Sequence, residues 1–300
     1  MVAECGTIST AAKRLARSQA AVSATISELE AALGVPIFLR KPAKGLVLTP
    51  TGETLVLEAR SLLAHAEEFS SIAGAMGNAL EGELSVACFV NLAPIVFARL
   101  VAEFGQRYPK IKVRMLIGNH EEVLQSMRSG ASELAVTFDL AMPEQFRAIT
   151  LAALPPLAVL PKNHRLAQAG KVSLHDLAAE PLVLMDLPHT REYFLSLFYS
   201  LNLEPRIEFR SNSFETVRTL VGNDLGYSLL NVVPKVGITY DGGEIVNIPL
   251  VEKLRPLHIA LVSLRRITQR RVSRTFSDFT RGFFKTWRDE HGYFSESSST

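Results

Sequence analysis

Thr7–Gly52, TISTAAKRLARSQAAVSATISELEAALGVPIFLRKPAKGLVLTPTG, is the stretch that decides the fold. Ser9 or Thr10 can cap a first helix whose small apolar face is Ala11, Ala12, Leu15 and Ala16. Arg17-Ser18-Gln19 interrupts it, and Ser18 can cap a second helix. Val22, Ile26, Leu29 and Leu33 then recur at helical spacing until Gly34 stops the run. The polar face of this helix carries Gln19, Ser23, Thr25 and Ser27, short hydrogen-bonding side chains suited to a helix lying in a major groove. Ile37-Phe38-Leu39 and Leu46-Val47-Leu48 flank Arg40-Lys41-Pro42-Ala43-Lys44-Gly45, which reads as a small β-hairpin with a basic tip.

Charge follows this reading. Lys13, Arg14, Arg17, Arg40, Lys41 and Lys44 against Glu28 and Glu30 make the stretch +4, in a chain whose net charge is +2. Positive charge is therefore concentrated where phosphates would be met. The candidate DNA contacts are Arg17, Ser18, Gln19, Ser23, Thr25 and Ser27 from the helices and Arg40, Lys41 and Lys44 from the hairpin.

The ordered run Ala11-Ala12-x-x-Leu15 … Ser18-Gln19-x-x-Val22-Ser23-x-x-Ile26-x-x-Leu29-Glu30-x-x-Leu33-Gly34-Val35-Pro36-Ile37-Phe38-x-Arg40 … Leu48-Thr49-x-x-Gly52 resembles the winged helix-turn-helix of LysR-type transcriptional regulators. The resemblance implies a regulator that binds operator DNA, assembles as a homodimer and then a tetramer, and is not an enzyme. Relatives usually open with another helix, and Met1-Val2-Ala3-Glu4 reads as its last turn. The expectation is either a start further upstream or a weakened DNA-binding domain with Leu15, Val22 and Ile26 left in water. Such exposure costs several kcal/mol at about 25 cal/mol per Å². Ala20 and Ala24 stand where relatives often carry proline and arginine, which leaves base readout to Gln19, Ser23, Thr25 and Ser27.

From Pro50 the pattern becomes one long helix, with Thr49 or Thr51 as its cap. Leu55, Leu62, Phe69 and Met76 repeat every seven residues, as do Ala59, Ala66 and Ala73 on the adjacent line. That apolar seam can pair two chains. In the resembled family it is the dimerising linker helix, and Gly74, Gly77 and Gly82 mark its end and a hinge.

Beyond Glu81 strands and helices alternate. Leu84–Cys88, Ile111–Ile117 and Glu133–Phe138 read as strands around helices from Leu92 and Glu121, a βαβαβ order that implies a parallel sheet. Leu154–Pro161 reads as the next strand, leading to a second α/β unit. Leu257–Leu264 and Gln269–Trp287 read as a returning strand and a final helix. The fold class is α/β. A winged helix-turn-helix (1–52) and a linker helix with hinge (53–82) precede a two-lobed, periplasmic-binding-protein-like effector domain. Residues 83–157 and 255–290 form its first lobe and 158–254 its second. Phe104-x-x-x-Tyr108-Pro109, Leu160-Pro161-x-x-His164-x-Leu166 and Thr216-Val217-x-x-Leu220-Val221-x-x-x-Leu225-Gly226 are similar to LysR-family effector domains.

Ligands of open α/β sheets sit beyond the carboxyl ends of the strands. Three such ends lead into helix starts at Asn91, Thr190 and Ser213, where backbone amides and the helix dipole favour an anion. The candidate effector site adds Asn119, His120, His189, Arg191 and Tyr227, with Phe89, Phe138 and Phe214 as an apolar wall. A small carboxylate is the expected effector. The seven histidines and two cysteines, Cys5 and Cys88, show no metal-ligand spacing, so no metal or cofactor is expected. GxSxG, P-loop and dinucleotide motifs are lacking, which argues against an enzyme. With neither an export signal nor an apolar span, the expected location is the cytoplasm, without membrane contact. A dimer with impaired DNA binding and a cytoplasmic small-molecule-binding module are the alternatives.

Overall fold

The computed structural model describes residues 1–41, 45–74 and 80–291. The chain opens with α1 (Val2–Cys5), α2 (Ile8–Arg14) and α3 (Gln19–Leu33), then a hairpin of β1 (Phe38–Lys41) and β2 (Gly45–Leu48), then α4 (Pro50–Gly74). The cap of α2 is Thr7 rather than Ser9 or Thr10: its hydroxyl accepts from the Thr10 amide at 3.2 Å. Ser18 caps α3 as expected, accepting from the Ala21 amide at 3.1 Å, and Gly34 ends it with φ 69°. The Glu30 carboxylate accepts from the amides of Ile37 (2.6 Å) and Phe38 (3.0 Å), which fixes the hairpin against α3. Thr49, not Thr51, serves the start of α4, accepting from the Gly52 amide at 2.8 Å and donating to the Pro36 carbonyl at 2.8 Å. α1 packs on α2 and the hairpin. The expected exposure of three apolar residues is found for Leu15 alone, at 44%; Val22 is buried and Ile26 half-buried.

The first lobe is built on β3 (Gly82–Phe89), β4 (Ile111–Gly118), β5 (Leu134–Phe138) and β6 (Phe146–Leu154). A π-helical turn, Ala93–Phe97, carries Pro94 and runs into α5 (Ala98–Arg107); α6 (His120–Ser129) links β4 to β5. β3 is parallel to β4 and β5, as the βαβαβ order requires. The returning strand β12 (Leu257–Leu264) enters antiparallel between β5 and β6, giving the order β4-β3-β5-β12-β6. α10 (Arg271–His291) follows, with Phe276, Phe284 and Trp287 buried.

The second lobe contains β7 (Leu157–Pro161), α7 (Leu174–Leu177), β8 (Leu182–Met185), α8 (Thr190–Tyr199), β9 (Ile207–Ser211), α9 (Phe214–Gly222), β10 (Ser228–Leu230) and β11 (Ile245–Pro249). β7 pairs antiparallel with β10 and β11, and β8 parallel with β9. Hydrogen bonds join these groups: Val183 N–H to the Tyr227 carbonyl (2.7 Å), Tyr227 N–H to the Pro181 carbonyl (2.9 Å) and the Ser228 hydroxyl to the Val183 carbonyl (2.7 Å). The approach needs glycine at 226. Its φ is +143°, and a Cβ there would stand 2.2 Å from the Pro181 oxygen.

Two strands depart from expectation. The single strand read over Leu154–Pro161 is the end of β6 and the whole of β7, divided by Pro155 and Pro156. β6 is largely exposed in its first half and buried in its second, so it shows no single period. β11 was not expected either; it is defined by pairing along the full length of β7, a long-range contact. One apolar cluster runs through both lobes, and a second, with Val123, Leu124 and Met127 of α6 against Ala87, Ala135 and Val262, lies in the first lobe.

Candidate DNA interface and interlobe cleft

Gln19, Ser23 and Ser27 are spaced four apart on α3 and share one face. Thr25 is about 200° away from Ser23 at ~100° per residue, on another side of the helix. Its hydroxyl donates to the Ala21 carbonyl at 2.9 Å. Thr25 is therefore removed from the group expected to read bases. Ser18 is exposed, but its hydroxyl is engaged by the cap. Gln19 reaches Ser9 at 3.5 Å, tying α3 to α2, and Arg17 is exposed before α3. Arg40 and Lys41 lie in β1, and Lys44 lies outside the described residues.

On α4, Leu55 is half-buried, Ala59 and Ala66 are exposed, and Leu62 is 71% exposed. Phe69 and Ala73 are on the same helix, and Met76 lies outside the described residues.

Between the lobes is a cleft of about 1130 Å³. Asn91, Asn119, Ser213 and Phe214 line it, as the strand-end rule led one to expect. Asn119 closes a capping box on α6, its side chain accepting from the Glu122 amide (3.1 Å) while Glu122 accepts from the Asn119 amide (2.8 Å). Asn119→Ala is expected to lower stability by about 1 kcal/mol in urea unfolding. Ser213 caps α9, accepting from the Thr216 amide at 3.3 Å.

Other expected residues are placed differently. Phe89 and Phe138 are buried against each other, ring centroids 5.2 Å apart, so they belong to the core of the first lobe rather than the cleft wall. Tyr227 is buried in the second lobe, which raises its phenol pKa. Arg191 turns to Asp186 and Glu192, both at 2.7 Å, so its charge is already matched.

His120, His189 and Thr190 meet at the lobe seam. The imidazoles of His120 and His189 stand edge to face, 5.5 Å between centroids. His120 is fully buried, with Nδ1 3.2 Å from the Thr137 hydroxyl and no hydrogen bond of full geometry at Nε2. Burial, with the charge of His189, lowers its pKa to about 4. His189 is the N-cap of α8 at φ 64°, and its Nε2 is 3.9 Å from Glu121. Thr190 is buried and its hydroxyl has no hydrogen-bond partner among the described residues.

The sequence reading missed part of the cleft wall. Arg218, buried on α9, binds Glu215, donates to the Val236 (3.3 Å) and Ile238 (2.9 Å) carbonyls, and lies 5.9 Å over Phe214. It thereby holds Val236 and Ile238 along the cleft, and Glu215 holds Tyr240 beside them by accepting from its amide. A buried arginine inside an amphipathic helix was the available signal. Two arginines before α10 bind inward: Arg265 donates to the Glu144 (2.7 Å) and Phe146 (3.0 Å) carbonyls, and Arg270 pairs with Glu133. Among the described residues no group of three or more His, Cys, Asp or Glu could hold a metal ion, and no helix is long and apolar enough to cross a membrane.

Residues 1–53 match the model of bacterial regulatory helix-turn-helix proteins of the lysR family, and residues 77–285 that of the LysR substrate binding domain. The chain belongs to the LysR family. The crystal structure of HinK, a LysR family transcriptional regulator from Pseudomonas aeruginosa, is similar at 34% identity and TM-score 0.66, covering 94% of each chain. The HTH-type transcriptional regulator EstR of Acinetobacter baylyi is 28% identical over 231 residues, 76% of this chain and 74% of its own. A full-length OxyR variant from Pseudomonas aeruginosa shares the fold at TM-score 0.75 and 21% identity, over 95% and 91% of the two chains. As a LysR-type transcriptional regulator, the protein joins a DNA-binding domain to an effector-binding domain, and its LysR relatives are regulators rather than enzymes.

Proposed function

We propose that this regulator binds its operator through α3 and the hairpin, as a homodimer paired along α4, and is switched by a small anionic metabolite held between the lobes. The observation that carries the effector reading is the meeting of two helix starts at the seam. α6 and α8, ten residues each, begin at His120 and Thr190, and Asn119 and Leu187, just ahead of them, line the cleft of about 1130 Å³. Each N-terminus acts as roughly half a positive charge. His120 is neutral near pH 7, so this field comes from the backbone rather than from imidazolium. The acids that line the cleft are already occupied. Glu122 closes the capping box, and Glu215 holds Arg218 and the Tyr240 amide (2.8 Å). Exposed Lys235 adds a cation at the rim. Exposed Leu62 and Ala66 on α4 support the dimer seam, and the reading extends to a tetramer of such dimers in the cytoplasm.

A thermal-shift screen of small carboxylates and amino acids tests the effector reading. A hit is expected to raise Tm, because a ligand that binds only the folded state stabilises it. Thr190→Val removes an unpartnered hydroxyl while keeping its shape, so folding is expected to be unimpaired. Affinity for the hit is expected to fall about tenfold, near the value of one hydrogen bond to a charged group. Unchanged affinity would place the ligand away from the seam.

A further inference from the structure

α6 reaches from the lobe seam to the DNA-binding unit. Its first residue, His120, faces His189 across the seam. Its C-cap, Gly130, holds φ +63° and lies under α4. The place where a Cβ would stand on Gly130 is occupied by the Arg60 guanidinium, with Nη1 0.5 Å from that point. Any side chain there would expel Arg60. The Arg60 side chain is 19% exposed, and its Nη2 donates to Glu4 of α1 at 2.7 Å. Burial lowers its pKa, while Glu4 and then Glu133 oppose the shift. Glu133 belongs to the effector domain, where it accepts from Ser273 at 2.7 Å and pairs with Arg270. α1 is joined in turn to the hairpin, since the Leu46 amide donates to the Gly6 carbonyl at 2.9 Å.

This arrangement is directional. α6 spans about 15 Å at 1.5 Å per residue and is a single rigid element. Gly130 and Glu133 move with the first lobe, whereas Glu4 and Arg60 belong to the N-terminal unit. The largely covered guanidinium is paired with Glu4 on one side and seated on Gly130, near the charge of Glu133, on the other, so the two units cannot part without uncovering it.

We propose that Arg60, seated on Gly130 and paired with Glu4, is the joint through which movement of α6 at the lobe seam reaches the DNA-binding unit. The inference rests on the cleft being the effector site and adds the route by which its occupancy is read. Lobe closure displaces the His120 end of α6, and the Gly130 end carries Arg60, α1 and the hairpin with it. Coupling of this kind is reciprocal, so DNA binding acts back on the cleft.

The test uses the full chain and needs no effector. The seam variants Thr190→Val and His120→Gln are made alone and in an Arg60→Ala background, and hydrogen exchange is followed in segments 1–6 and 56–63. In the parent chain the seam variants are expected to change exchange in both segments by about twofold or more. With Arg60→Ala the response is expected to vanish. Gly130→Ala, which expels the guanidinium without removing a charge, is expected to act like Arg60→Ala. Should His120→Gln fail to fold, Thr190→Val carries the comparison. An equal response in both backgrounds, or none in either, overturns the joint. The ligand-induced Tm shift is measured separately on Arg60→Ala. A retained shift leaves the cleft reading standing whatever the fate of the joint, and a lost shift in both chains counts against the cleft.

Discussion

Ser23→Glu is expected to bind operator DNA at least ~100-fold more weakly than the parent chain, since each lost base contact costs about 1–3 kcal/mol and a dimer loses it in both half-sites. Gln19, Ser23 and Ser27 form one line on α3; Glu28 lies on the opposite side at ~100° per residue, and Glu30, which shares the face, is engaged by the Ile37 and Phe38 amides. A carboxylate at the middle of that line would meet the phosphate field at short range and remove a hydroxyl able to donate or accept. Ser23 is half-buried and α3 is capped at both ends, so circular dichroism should show an unchanged helix content. Thr25→Glu supplies the internal comparison. It adds the same charge on another side of α3, where the native hydroxyl bonds the Ala21 carbonyl, and should cost several-fold less. Gel shifts on duplexes selected from a random pool measure both. Equal affinities for Ser23→Glu and the parent would remove this face from the DNA interface.

The contrast between Ser23 and Thr25 shows where sequence reading reaches its limit. Polar character identified both, but only helical phase separates them, and phase was legible from the four-residue spacing. The caps at Ser18 and Gly34 were readable because capping is a local interaction. Thr7 escaped notice because several hydroxyls lay close together before α2 and only geometry selects among them. In the effector domain, strand ends located Asn91, Asn119 and Ser213 beside the cleft. The same rule overreached at Phe89 and Phe138, since a residue at the end of a strand can face either the ligand or the sheet's own core. Arg218 left one trace, an arginine set among the apolar residues of α9, but the segment it holds left none. Their placement depends on hydrogen bonds between α9 and residues 236 and 238, a contact with no periodic trace in the sequence.

The seam also makes stability depend on pH. His120 has a folded pKa of about 4 against an ordinary value of 6.5. Burial is the main cause and the charge of His189 the next. The Leu140 backbone opposes them, Arg128 adds to the lowering, and Asp139 opposes it. Between pH 6.5 and 4 the unfolded chain therefore binds a proton that the folded chain refuses. Stability is fully present above 6.5 and falls as pH drops through this window, by roughly 3 kcal/mol at most if the whole difference is realised. Urea unfolding of the parent chain and of His120→Gln should show the loss in the parent and a flatter profile in the variant. Parallel profiles would mean that His120 is not the titrating group. The functional consequence follows from position. At pH 5 and above folded His120 stays neutral, so it adds no charge to the seam, where its ring lies 5.5 Å from that of His189. Ligand affinity measured from pH 7 to pH 5 should therefore vary no more in the parent than in His120→Gln.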